Sequence, residues 1–169
     1  MKLSHVDEAG RARMVDVTEK PVTTRTARAE GRVGMSRDAF ELVQAQSVAK
    51  GDVLTVAEVA GVLGAKRTGE LIPLCHPLGL EHVAVEVHPT PEDPGVRVVA
   101  TAKAVGRTGV EMEALTAVAV ACLTVYDMVK AIDRSMSIGD IRLLEKTGGT
   151  HGDWRRSDQA PETIGGGTS

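Results

Sequence analysis

Val83-Ala84-Val85-Glu86-Val87, a turn from Pro89 to Gly95, and Val96-Arg97-Val98-Val99-Ala100-Thr101-Ala102-Lys103-Ala104 together decide how this chain folds. Apolar residues occupy every second position: Val83, Val85 and Val87 before the turn, then Val96, Val98, Ala100, Ala102 and Ala104 after it. That is the period of a strand with one buried face, and the intervening Pro and Gly residues supply turn chemistry, so the segment reads as an antiparallel hairpin. Gly106-Arg107-Thr108-Gly109 then leads into the longest periodic segment, about Glu111 to Ile132, where Leu115, Val118, Cys122, Val125 and Val129 form the core stripe of a central helix. Ile138, Ile141, Leu143 and Leu144 mark a last strand, which Gly148-Gly149 breaks.

On the N-terminal side, Asp52 caps a helix that carries Leu54, Ala57, Ala60 and Leu63 at helical spacing and runs to about Ala65. Ser36 caps an earlier one, with Ala39, Phe40, Leu42 and Val43 on its apolar stripe, reaching about Ser47. Between Thr24 and Met35 apolar side chains are sparse, which suggests an exposed strand carrying Arg25, Arg28 and Arg32. The element order predicts an α+β sandwich, with helices layered on one face of an antiparallel sheet of ferredoxin-like type. Residues 1–154 are expected to form a single domain with a mobile N-terminal arm over 1–21, and 155–169 a disordered polar tail.

The composition narrows the function. A chain of 169 residues, 42% apolar, suits one core. Twenty Lys and Arg against 23 Asp and Glu leave a net charge of −3, without the basic excess that duplex binding uses. With Phe40, Tyr126 and Trp154 the only aromatics, stacking platforms for single-stranded bases cannot be built in quantity, so nucleic acid is not expected as a partner. A core of small apolar residues also suggests added burial through self-association. Cys75 and Cys122 form no C-x-x-C pair, which argues against a disulfide framework or a structural zinc site and fits a reducing cytoplasm. The first residues contain no apolar signal region, and the longest apolar stretch, between Glu113 and Asp127, is too short to span a bilayer, so no membrane association is expected.

Three groups of polar residues lie at element ends, where scaffolds present function. Lys50 stands ahead of a helix N-terminus, where the macrodipole disfavours a cation, whereas Lys66 and Arg67 sit at a C-terminus that welcomes them and read as capping charges. Leu74-Cys75-His76 is held between Pro73 and Pro77 in a pre-set loop. A Cys beside its own His rarely has nucleophile–base geometry, so ligand contact by His76 and a plain packed loop are the competing readings. The glycines ahead of the central helix make an anion site available. Asp127 and Lys130, on the polar side of that helix, read alone as an i,i+3 ion pair.

Taken together, Lys50-Gly51-Asp52, Lys66-Arg67-Thr68, Leu71-Ile72-Pro73-Leu74-Cys75-His76-Pro77-Leu78, Thr108 to Thr116, Tyr126 to Ala131 and Lys146-Thr147-Gly148-Gly149 closely resemble the cyclic pyranopterin monophosphate synthase family, the C protein of molybdenum cofactor biosynthesis. The resemblance runs from about Met14 to Asp153. It implies a lyase that rearranges 3′,8-cyclo-7,8-dihydro-GTP into cyclic pyranopterin monophosphate with release of pyrophosphate. It also implies a hexamer built as a trimer of dimers, and no metal or organic cofactor. By the same resemblance Asp127 is the catalytic acidic residue, Lys50 and Lys130 are catalytic lysines, and Leu74, Cys75, His76, Met112 and Glu113 contact substrate. A triphosphate needs several cations, which Lys50, Lys66, Arg67, Lys130, Lys146 and Arg25 can supply. The rival readings are a non-catalytic nucleotide-binding module and a cysteine hydrolase using Cys75 and His76.

Overall fold

A computed structural model of the chain describes residues 10–150 and 152–157. The expected hairpin forms: β1 (Thr23–Gly34) precedes it, and β2 (Leu80–Pro89) runs antiparallel to β3 (Gly95–Gly106), with Val85 opposite Ala100 and Val87 opposite Val98. The helices are α1 (Arg37–Gln44), α2 (Val53–Lys66), the short α3 (Thr68–Leu71) and α4 (Glu111–Val129). Two further strands, β4 (Ser137–Thr147) and β5 (Trp154–Arg155), complete an antiparallel sheet in the order β2-β3-β1-β4-β5. Without the two-residue β5, this is the strand order of a ferredoxin-like α+β fold, with α2 and α4 packed on the sheet. Ser36 and Asp52 cap α1 and α2 as expected, each side chain accepting a backbone N–H three residues on.

The expectation of an exposed strand over Thr24–Met35 is overturned: β1 is the middle of the sheet, paired with β3 on one side and β4 on the other. Its apolar residues are sparse because its inner face is small rather than solvated. Ala27, Ala29 and Val33 are fully buried there, and a Cβ on Gly31 would come 2.5 Å from Val118 Cγ1 on α4. The opposite face holds Glu30, only 6% exposed. Arg97 of β3 lies 2.7 Å from one Glu30 oxygen and Arg142 of β4 lies 2.9 Å from the other, so the single carboxylate ties three strands together.

The stripe read for α2 also needs correction, since Leu63 is exposed while Val53, Ala57, Gly61, Gly64 and Ala65 are buried. The two glycines let α2 approach α4 closely: a Cβ on Gly61 would meet the Ala117 carbonyl oxygen at 3.0 Å, and one on Gly64 would meet Val120 at 2.8 Å. The larger residues are thereby turned outward, leaving Val56, Val59 and Leu63 of α2 and Met112 and Leu123 of α4 exposed. By length and composition α4 could cross a membrane, contrary to the sequence expectation, but more than half of it is buried against α2 and the sheet, as in a core helix. Residues 158–169, where most of the polar tail is expected, and 1–9 of the arm lie outside the described residues.

Candidate functional site

The polar residues gather at the two ends of α4. At its C-terminal end the Asp127 carboxylate bridges two ammonium groups, with Lys50 Nζ 2.7 Å from Oδ2 and Lys130 Nζ 2.6 Å from Oδ1. Lys50 also donates to the Asp127 backbone carbonyl at 2.9 Å. That carbonyl belongs to the last turn of α4, where backbone acceptors lack helical partners and the macrodipole is negative. A lysine misplaced for its own helix is thus well placed for a neighbouring one. The two lysines hold the Asp127 carboxyl far down, at about 2, with hydrogen bonds from Lys130 and then Lys50 as the main causes, so it is ionised at neutral pH. All three side chains are about half exposed, at 46–56%.

At the N-terminal end a cavity of about 440 Å³ is lined by Leu74, Cys75, His76 and Leu78 from the proline-bounded loop, by Thr108, Gly109, Glu111, Met112 and Glu113 at the start of α4, and by Val15, Val17 and Lys20 of the N-terminal arm. Glu113 is only 3% exposed, and burial, reinforced by the charge of Glu111, pushes its carboxyl above the usual range. Burial, with Glu113 nearby, likewise pushes the Cys75 thiol up, which is the wrong direction for an activated nucleophile. Beside the cavity and sharing Gly109 and Glu111 with it, a narrow cleft is lined by Arg25, Thr26, Lys146 and Gly148. Lys146 Nζ lies 2.7 Å from Glu111 Oε1, and Arg25 donates to the Gly106 and Arg107 carbonyls. Gly148, at φ +86°, sits where a side chain would strike the Thr24 carbonyl oxygen. Among the described residues, no group of three or more His, Cys, Asp and Glu could hold a metal ion.

The MoaC family model matches residues 14–149, most of the chain and both ends of α4. The chain belongs to the MoaC family. It is 59% identical over 157 residues to the cyclic pyranopterin monophosphate synthase of Thermomicrobium roseum, covering 93% of this chain and 95% of that protein. To the protein of the same name from Brucella ovis it is 57% identical over 159 residues, covering 94% and 96%, and to that from Brucella canis 56% identical over 159 residues, with the same coverage.

Within this MoaC-family chain the residues read from sequence fall into separate places. Lys50, Asp127 and Lys130 meet at one end of α4. Leu74, Cys75, His76, Met112 and Glu113 line the cavity at the other, with Arg25 and Lys146 in the adjoining cleft. Fourteen residues of helix, about 21 Å of rise, separate Glu113 from Asp127. Lys66 and Arg67, exposed at the end of α2, line neither space. Lys20, Thr108 and Glu111 line the cavity although sequence reading did not single them out as ligands. Glu111 could have been found from its place in the first turn of α4, whereas nothing local marks Lys20.

Proposed function

We propose that this chain is a cyclic pyranopterin monophosphate synthase, converting 3′,8-cyclo-7,8-dihydro-GTP into cyclic pyranopterin monophosphate and pyrophosphate. The observation that carries the reading is the Asp127 carboxylate bridging the Lys50 and Lys130 ammonium groups. The reaction opens one ring and closes another, so it needs proton transfers at nitrogen and oxygen, and it expels pyrophosphate while a cyclic phosphate closes. Asp127, ionised far below neutrality, is not the proton donor; it orients the two lysines, which move protons and screen the phosphate charge. Glu113, with its carboxyl raised by burial, offers a hydrogen-bonding partner for the polar edge of the purine-derived ring.

The active site in this reading is shared by two copies. Antiparallel packing of α4 against its symmetry mate about a twofold axis brings the Met112–Glu113 end of one chain to the Lys50–Asp127–Lys130 end of the other. The exposed apolar residues Val56, Val59, Leu63, Met112 and Leu123 on the outer face of α2 and α4 support such packing. Three such dimers would form the hexamer, acting in the cytoplasm without a cofactor.

The test is incubation of the purified protein with the cyclised dihydro-GTP. Stoichiometric pyrophosphate and cyclic-phosphate product are expected. Binding without product at saturating substrate would favour the nucleotide-binding module instead. The cysteine hydrolase is disfavoured by burial, which pushes the Cys75 thiol up rather than down.

A further inference from the structure

Asp133 stands three residues beyond Lys130, in the turn that leaves α4, and is only 7% exposed. Its Oδ1 accepts from the Ser135 hydroxyl at 2.6 Å and the Ser135 N–H at 2.8 Å, and its Oδ2 accepts from the Ser36 N–H at 2.7 Å, 97 residues away in sequence. The Ser135 hydroxyl first, then the Ser36 and Ser135 N–H groups, hold this carboxyl at about 2, so it is ionised. A nearly buried carboxylate is costly unless its oxygens are matched, and here the match reaches across to a second segment.

That second segment carries Lys50. Ser36 caps α1, which is seated by the buried side chains of Ala39, Phe40 and Val43. The helix ends with Gln46 at φ +53°, its N–H on the Val43 carbonyl at 3.1 Å and the Ser47 N–H on the Leu42 carbonyl at 2.9 Å, a Schellman termination that fixes the direction of the following chain. Val48 is buried, and the Gly51 N–H reaches the Val48 carbonyl at 2.9 Å, closing the turn on which Lys50 stands. On the α4 side, the Lys130 N–H on the Tyr126 carbonyl and the Asp133 N–H on the Val129 carbonyl carry helical bonding down to Asp133. Among the described residues, hydrogen bonds join segments 36–51 and 126–133 in two places: Asp133 on Ser36, and Lys50 on Asp127. The Lys50 side chain is long and half exposed, so its place depends on where its backbone is held.

We propose that Asp133 is a positioning residue for Lys50: by fastening the start of α1 to the turn after α4, it sets the reach of the Lys50 ammonium to Asp127. The inference rests on the reading of Lys50 as a proton-moving lysine of the proposed reaction.

The test compares Asp133→Asn, Ser36→Pro, Ser36→Ala and Ser135→Ala, together with Asp133→Asn in a Lys50→Ala background, by kcat on the cyclised dihydro-GTP below the melting transition and by hydrogen exchange at the Gly51 amide. Asparagine offers an acceptor to only one of the two sides that Asp133 joins. Ser36 lies at φ −64°, the angle that proline imposes, so Ser36→Pro removes the N–H without moving the backbone, and Ser36→Ala controls for the lost cap. Asp133→Asn and Ser36→Pro should each lower kcat about 10-fold or more through misplacement of Lys50, while Ser36→Ala and Ser135→Ala stay within a few-fold of the parent. In the Lys50→Ala background Asp133→Asn should change kcat by less than about 2-fold, because the side chain that it positions is gone. Exchange at Gly51 should quicken in Asp133→Asn while the strand amides of β1 and β3 keep their protection. Parental kcat in Asp133→Asn, or an equal fold-loss with and without Lys50, overturns the proposal, and if Asp133→Asn does not fold, equal kcat in Ser36→Pro and Ser36→Ala overturns it instead. Quickened exchange at Gly51 in a protein whose parent forms no product would leave the tie standing and sink the proposed reaction. Product from the parent, with parental exchange at Gly51 in Asp133→Asn, would do the reverse.

Discussion

Asp127 does at the residue scale what neither lysine could do alone: it fixes two mobile ammonium groups about one carboxylate, on a helix end that supplies a further acceptor. Lys50→Ala and Lys130→Ala are each expected to lower turnover by about 100-fold or more, the range for loss of a positioned acid–base group, and Asp127→Asn, which releases both lysines at once, by a similar factor. Because all three side chains are half exposed and outside the core, the thermal midpoint should stay near the parent value. Product formation measured beside a thermal melt checks this, and turnover near the parental rate in any one variant removes that residue from the mechanism. Asp127 and Lys130 were legible in sequence as an i,i+3 pair, and the resemblance joined Lys50 to them. The physical pairing with Lys50 was not legible, since it spans 77 residues and depends on α2 beginning beside the end of α4. Lys20 was hidden for a similar reason: an arm with few apolar residues gives no sign of the cavity wall it meets.

At the scale of elements, the hairpin, the helix caps and α4 could be read because their signals are local: period two, period 3.6, and an oxygen-bearing side chain before each of α1 and α2. The central position of β1 could not, because Gly31 and the alanines are chosen by the approach of α4 and not by strand propensity. Gly31→Ala should therefore cost about 1–3 kcal/mol through overpacking against Val118 and lower the thermal midpoint by several degrees. An unchanged melt would mean that α4 and β1 can separate freely. On the opposite face, burial raises the Glu30 carboxyl but hydrogen bonds from Arg97 and Arg142 outweigh it, leaving its pKa below the ordinary 4.5. A carboxyl depressed in the folded state contributes stability above its unfolded pKa, and that contribution is lost as pH falls through the folded value. Glu30→Gln should accordingly melt lower than the parent at pH 6, with the gap closing as pH falls below about 4.5. A gap that stays constant from pH 6 to pH 3 would show that the charge on Glu30 contributes nothing.

The whole molecule places its chemistry at opposite ends of one helix, about 21 Å apart along the axis, and leaves an apolar outer face beside both. In the proposed reading Glu113 and Asp127 of one copy stand too far apart to serve the same reacting atoms, and a twofold pair would bring them together twice. Complementation measures this most directly. Glu113→Ala and Asp127→Asn, each inactive alone, are co-expressed, mixed oligomers are isolated with two affinity tags, and product formation from the cyclised dihydro-GTP is followed. In each mixed dimer one pocket receives both lesions and the other receives neither, so activity should recover to about half the parental value per mixed dimer. Mixed dimers that remain as inactive as the single variants would contradict the account and return both residues to one chain.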